Sequence, residues 1–160
     1  RLTTAAHVRE AAGELLADPR ARSRASRFHA LWLGYERLPH AAPLAASMKA
    51  ETDALIARVL FEEKRPWLDL LRATETFADD RLRAHYGLTA PAGANGWTSY
   101  GASGRKGLLS HGSFLAIGAK FDDTSPTVRG KLIRERLLCE GIAAPPANLM
   151  VNIDDPPAGS

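Results

Sequence analysis

The sequence predicts a mainly α fold: a compact helical array with a Gly-rich loop or small hairpin before the last helix. Apolar residues recur at helical spacing through the first half of the chain, and N-cap residues precede these runs. A Gly-rich stretch then interrupts the pattern after residue 87. The 160 residues suit one domain-sized core, because folding a chain of this length buries about 70% of its unfolded surface.

The first two helices have the clearest start signals. Thr3 or Thr4 can cap a helix whose apolar residues share one face. Asp18-Pro19 starts a second helix, because the carboxylate accepts from free N–H groups and Pro needs no donor at the first helical position. Gly34 is expected to soften its end. The large side chains of this helix fall on one face: Phe28, Trp32 and Tyr35.

A third helix is predicted from Pro43 to Phe61 or Glu63. Its apolar spacing assigns a buried stripe to Leu44, Met48, Thr52, Leu55, Ile56, Val59 and Leu60. Its polar residues predict a solvated face made of Lys49, Glu51, Asp53 and Arg58. Pro66 opens a short helix, and Asp79-Asp80 and Gly87 bound the next one. We expect one core to contain Phe28, Trp32, Leu55, Val59, Leu70 and Leu71.

The organisation predicted along the chain has four parts. Residues 1–87 form a helical domain, and residues 88–105 form a Gly-rich loop or short hairpin with a strand at Trp97–Tyr100. Residues 106–144 form a small C-terminal helical domain packed on the first, with its helix starting at Ser125-Pro126. Residues 145–160 form a Pro-rich linker. Since the chain opens on Arg1 rather than Met, we expect it to be part of a larger polypeptide.

Composition excludes several functional classes. The single Cys139 excludes an internal disulfide, a zinc–cysteine cluster and a Cys-x-x-Cys-His haem attachment within these residues. The five His residues lack the spacing of a metal site. The net charge is only +3, and the basic residues are dispersed along the chain with acidic residues among them. This distribution argues against nucleic acid as a partner. No apolar run is long enough to span a membrane.

Two Gly-rich motifs resemble catalytic motifs only superficially. The stretch 101–107 lacks the Gly-Lys-Ser or Gly-Lys-Thr ending of a phosphate loop, so its glycines are expected to adopt positive φ angles in a tight turn. The stretch around Ser113 has Leu115 where a nucleophile elbow requires Gly. The sequence therefore assigns no catalytic residue.

Three residues are candidates for contact with a cofactor. His111 lies in an apolar run beside small residues that would let another group approach. Ser125, with the free N–H groups of its helix, and Arg129 could together bind a carboxylate or haem propionate. The alternative is that Ser125 only caps the helix and Arg129 only meets water. Both interpretations remain open at the level of sequence.

Segments in both halves of the chain carry a family resemblance. The segment 21–34, which ends in Trp-Leu-Gly, and the segment 77–87 resemble helices of a bacterial domain of unknown function. The segments 104–116 and 124–130 resemble the small domain that usually follows it. This adjacent pair occurs in planctomycete-type multidomain proteins associated with c-type cytochromes, and the resemblance covers nearly the whole chain.

The resemblance implies an accessory helical module of a larger exported redox protein in the periplasm or cell envelope. Haem c would be carried by other segments of that parent, and this chain would bind none covalently. Its partners would be the remaining parent domains or other subunits. One alternative is an enzyme module whose site is shared with a neighbouring domain and includes His111, Ser125 and Arg129. Another is a scaffold that docks a subunit through the loop 88–105.

Overall fold

A computed structural model describes residues 2–89, 93, 95–119 and 125–144. Helices dominate these residues, which confirms the predicted mainly α fold. The α-helices are α1 (Ala5–Ala17), α2 (Pro19–Leu33), α3 (Ala42–Ile56), α4 (Asp80–Tyr86), α5 (Gly112–Leu115) and α6 (Pro126–Leu132). Two strands, β1 (Glu75–Phe77) and β2 (Trp97–Ser99), form a small sheet. Short 3₁₀ segments span Trp67–Leu71 and Leu108–Ser110.

Local capping places the ends of α1 and α2 where the sequence predicts them. The Thr4 hydroxyl accepts from the backbone N–H of His7 at 3.2 Å. The Asp18 carboxylate accepts from the N–H of Arg20 at 2.8 Å. Gly34 ends α2 with a φ of 88°, a conformation that glycine adopts without a steric cost.

The apolar faces of α1 and α2 are less buried than their spacing indicates. Leu15 of α1 is 71% exposed and Phe28 of α2 is 57% exposed, so the expected core position of Phe28 is wrong. The buried residues of α2 are His29 and Leu33. Since successive helical residues are rotated by about 100°, a helix with position 29 inside turns position 28 toward the surface. The other five expected core residues lie in or against the core.

The third helix is the central element of the fold. It continues beyond Ile56 as a π-helical stretch over Ala57–Glu62, within a residue of the predicted end. Packing against α2, α4, α5 and β1 buries one face of α3. Its buried residues are Ser47, Met48, Glu51, Thr52, Leu55 and Ile56.

The predicted strand at Trp97 is present, and its partner comes from an earlier part of the chain. Strand β1 pairs antiparallel with β2, with Thr76 opposite Thr98 and Phe77 opposite Trp97. Helix α4 therefore lies between the two strands in sequence. Strand β1 has three residues, too few for alternation to show in the sequence.

The main hydrophobic core contains residues from both halves of the chain. Leu33, Ile56 and Leu70 come from the first half, and Leu108 and Phe114 follow the Gly-rich loop. Leu132 of α6 completes the buried set in this core, and the π-helical extension of α6 over Ile133–Leu137 packs at its edge. The domain boundaries predicted at residues 87, 105 and 144 stay predictions.

Gly107 fixes how closely the Gly-rich turn approaches the rest of the fold. Its φ is 55°, and a Cβ atom at this position would lie 2.4 Å from the backbone carbon of Leu71 and 2.5 Å from the oxygen of Leu70. Its N–H donates to the Ala73 oxygen at 2.8 Å. A side chain here would separate the turn from the core.

We predict that Gly107→Ala destabilises the protein by clearly more than the roughly 1 to 2 kcal/mol that a positive φ costs an L residue. Gly101→Ala is the matched control, because Gly101 has a φ of 52° and open space where the added methyl group would lie. Urea unfolding of both variants measures the difference. Equal losses of unfolding free energy in the two variants would contradict the close approach at Gly107.

Candidate functional site

The carboxyl group of Glu51 lies at the centre of a buried polar cluster. Its side chain has no solvent exposure, so the predicted solvated position of Glu51 is wrong. Glu51 follows Met48 by three residues and precedes Leu55 by four, and both of these are buried. Helical spacing therefore places Glu51 on the inner face of α3, whereas its residue type favoured the outer face.

Hydroxyl groups from three parts of the fold donate to this carboxyl group. Thr76 of β1 donates to Oε1 at 2.6 Å, and Tyr86 at the end of α4 donates to Oε2 at 2.6 Å. Tyr100, just after β2, donates to Oε1 at 3.4 Å. These donors replace the water that an ionised carboxylate would otherwise bind. We call the group formed by Glu51, Thr52, Thr76, Tyr86, Tyr100, His111 and Ser113 the Glu51 cluster.

Burial raises the pKa of Glu51 from 4.5 to about 7. The hydroxyl donors Thr76 and Tyr86 and the positive charge of Arg105 act in the opposite direction, because they stabilise the ionised form. Loss of solvation is the larger effect. The carboxyl group is therefore half-protonated near neutral pH.

His111 is the second titratable group of the cluster, and it is also fully buried. Its Nδ1 lies 3.0 Å from the hydroxyl oxygen of Thr52, which in turn lies 2.6 Å from the hydroxyl oxygen of Ser113. Its Nε2 has no hydrogen-bond partner within the described chain and lies 3.8 Å from Oε1 of Glu51. Burial, with a smaller effect from Arg105, lowers the pKa of His111 to about 3. The imidazole is neutral at physiological pH.

Arg105 covers the cluster from the Gly-rich turn. Its guanidinium carbon lies 3.7 Å from the centre of the Tyr86 ring, and its Nη1 donates to the oxygen of Ser110 at 2.5 Å. The Tyr86 hydroxyl also accepts from the N–H of Gly112. Gly101, Gly104 and Gly107 all have positive φ, which confirms the tight turn predicted for this stretch.

A second buried histidine shows what full hydrogen bonding of an imidazole looks like in this fold. Nε2 of His29 accepts from the indole N–H of Trp67 at 2.9 Å. Because indole is only a donor, the proton of His29 is on Nδ1, which donates to the Ala25 oxygen at 2.7 Å. His111 differs, since one of its nitrogens faces a carboxyl group beyond hydrogen-bond distance.

The central groups of the Glu51 cluster lie out of contact with solvent. Glu51, Thr52, Thr76, His111 and Ser113 are each fully buried. Within the described residues, no group of three or more His, Cys, Asp or Glu side chains is arranged to bind a metal ion. None of the described helices is both long and apolar enough to cross a membrane.

The three candidate cofactor-contact residues lie in two different settings. His111 contacts Thr52 and Glu51, as described above. Ser125 caps α6 by accepting from the N–H of Val128 at 3.4 Å, and Arg129 is half-buried on that helix. No described hydrogen bond, ion pair or ring contact joins His111 to either of them. Contact of these residues with an anion or haem propionate stays a prediction. Thr124, which directly precedes the Ser125-Pro126 helix start, lies outside the described residues.

The fold is mainly α, and residues between Glu51 and Ser113 form its buried polar cluster. Residues 1–88 match PSD4, described as a protein of unknown function (DUF1592), and residues 105–159 match PSCyt3, described as a protein of unknown function (DUF1588). The chain therefore belongs to the PSD4 family and carries the PSCyt3 segment after it. The resemblance to this adjacent, cytochrome-associated pair is confirmed. Comparisons with curated proteins and with solved structures gave no match.

The two pKa shifts in the cluster have opposite signs, so their effects on stability offset each other over part of the pH range. Between pH 4.5 and 6.5, the folded state has a protonated Glu51 and a neutral His111. The unfolded chain has an ionised glutamate and a protonated histidine in the same range. Both states hold one proton on the pair. Folding thus moves a proton from His111 to Glu51 without net uptake, and the pair contributes no pH dependence there.

We predict that replacing either Glu51 or His111 reveals the pH dependence of stability that the other group causes. In Glu51→Gln, the lowered pKa of His111 makes stability fall as the pH is lowered from 6.5 to 4.5. In His111→Asn, the raised pKa of Glu51 makes stability fall as the pH is raised over the same range. Each slope, measured as variant minus wild type, should be about 1.4 kcal/mol per pH unit.

Urea unfolding at several pH values tests this pair of slopes. Taking the difference from wild type cancels the titration of groups outside the cluster. Slopes of the same sign, or no slope in either variant, would contradict opposite pKa shifts at Glu51 and His111.

We also predict that Tyr86→Phe lowers the free energy of unfolding by about 2 to 4 kcal/mol, because it leaves the buried N–H of Gly112 without an acceptor and removes a donor to Glu51. Tyr35→Phe is the control. The Tyr35 hydroxyl makes only a 3.5 Å contact with the half-buried Asp53, so its loss should cost less than about 1 kcal/mol. Similar losses in both variants would show that the Tyr86 hydroxyl has no special role.

Proposed function

We propose that this chain is an accessory helical module of a larger exported c-type cytochrome protein and has no covalent haem site of its own. The observation that carries the proposal is the succession of the PSD4 and PSCyt3 families along one chain. The name PSCyt3 points to a cytochrome context, and the domain pair points to a multidomain parent. The parent's other domains or subunits would then be its partners.

The chemistry of the described residues supports an accessory role rather than a catalytic one. A general acid or base must come within hydrogen-bond reach of its substrate. Glu51 and His111, whose pKa values are shifted furthest among the acids and histidines, are both sealed from solvent. Protonation of this cluster therefore affects stability rather than a substrate. Redox chemistry would belong to the haem-bearing segments.

The proposal assigns covalent haem to other segments because this sequence has too few cysteines to attach it. Covalent attachment of haem c through Cys-x-x-Cys-His requires two cysteines, and this sequence has Cys139 alone. Haem c would thus be attached in other parts of the parent. A periplasmic or cell-envelope location follows from that assignment, because the parent would be an exported cytochrome.

The test is to express the parent coding sequence, with this chain in place, in a host that attaches haem c. Pyridine haemochrome spectra should show covalent haem in the parent and none in this chain expressed alone. Replacing Cys139 with Ser in the parent is the matched control and should leave its haem content unchanged. A parent without covalent haem, or covalent haem on this chain, would overturn the proposal.

Calorimetric titration of this chain against the haem-bearing segment tests the partnership itself. Saturable binding supports an accessory module that docks on its own parent. Absence of heat and of any mobility change in gel filtration would remove the docking part of the proposal.

A further inference from the structure

We propose that a polar pocket between α2 and α3 binds a small hydroxylated carboxylate of the sugar-acid class. The pocket has a volume of about 640 Å³, within the range of about 300 to 1,000 Å³ typical of small-molecule sites. It lies apart from the Glu51 cluster, and the proposal does not depend on the cytochrome context. Both helices and the connection between them contribute to its lining.

The floor of the pocket presents hydrogen-bonding groups suited to hydroxyls. Asp53 of α3 is half-buried there, and burial raises its pKa. It accepts from Ser26 and, at 3.5 Å, from the hydroxyl of the buried Tyr35. Two carboxylate oxygens offer about four acceptor positions, so Asp53 retains capacity for hydroxyl donors from a ligand.

The rim of the pocket is positively charged. Arg27, Arg37 and Lys49 line the pocket, against the two carboxylates of Glu36 and Asp53. Arg27 lies 3.7 Å from the Glu36 carboxylate. The ammonium group of Lys49 donates to the backbone oxygen of Glu36, and its charge opposes the effect of burial on the pKa of Asp53. Arg37 has no ion-pair partner among the described residues.

Floor and rim together select the chemical class of the ligand. Arg side chains can bind a carboxylate through two parallel N–H groups, and a cationic rim attracts anions from solution. A carboxylate such as Asp53 accepts from hydroxyl groups and repels a second carboxylate. A ligand with its anionic group at the rim and its hydroxyl groups at the floor satisfies both regions. A monosaccharide acid has this combination.

Isothermal titration calorimetry with D-glucuronate at low ionic strength tests the proposal, with glucose and acetate as probes that each lack one half of the chemistry. Glucuronate should bind saturably, with a Kd of about 1 mM or tighter. Glucose and acetate should each bind at least about tenfold more weakly. Raising the ionic strength should weaken the binding of glucuronate.

Two variants locate the site. Asp53→Asn and Arg37→Gln should each weaken glucuronate binding about tenfold, with thermal unfolding used to verify that both proteins fold. Arg24→Gln is the matched control, because Arg24 lies on α2 but does not line the pocket, and it should bind like wild type.

Several results would overturn the proposal. No saturable binding of glucuronate would refute the site. Acetate binding as tightly as glucuronate would mean a bare anion site, and glucose binding as tightly would remove the role of the cationic rim. Unchanged affinity in folded Asp53→Asn and Arg37→Gln, or an equal loss in Arg24→Gln, would mean that binding is elsewhere or depends on overall charge alone.

Discussion

The burial of the Glu51 carboxyl group is the constraint on which the rest of the structure depends. Burying an ionised carboxylate without new partners costs several kcal/mol, a large part of the net stability of a domain. The fold therefore has to bring hydroxyl donors to one point in its interior. The short sheet supplies Thr76, the end of α4 supplies Tyr86, and the segment after β2 supplies Tyr100. Elements with little apolar surface of their own gain a defined position in this way.

The pKa of Glu51 depends on the balance between loss of solvation, which raises it, and the hydroxyl donors and the nearby Arg105, which lower it. Arg105 stabilises ionised Glu51 and disfavours protonated His111, so it lowers both pKa values. Arg105 lies in the Gly-rich turn and contacts the Tyr86 ring. The conformation of that turn therefore affects the pKa values of Glu51 and His111. The turn thus links backbone conformation at the surface to protonation in the interior.

Sequence patterns predicted the features that neighbouring residues determine. They missed the features that depend on which distant element packs against a given helix face. The ends of α2 and α4 follow from Asp18, Gly34 and Gly87, whose roles require only neighbouring residues. The face of α1 was predicted from periodicity, yet periodicity does not say whether another element covers it. Glu51 was misplaced because its charge outweighed its spacing. For His111, the apolar run predicted a position where another group approaches, and Glu51, sixty residues earlier in the chain, lies beside its ring. Contact of His111 with a cofactor stays a prediction.

The distribution of the Glu51 contacts over the two family segments has a consequence for inheritance. Thr76 and Tyr86 belong to the PSD4 match, whereas His111 and Gly112 belong to the PSCyt3 match. Recombination that exchanged one segment for an unrelated one would leave a buried carboxyl group or a buried imidazole facing a surface that never evolved with it. Exchange of one segment alone is therefore expected to destabilise the fold of the described residues.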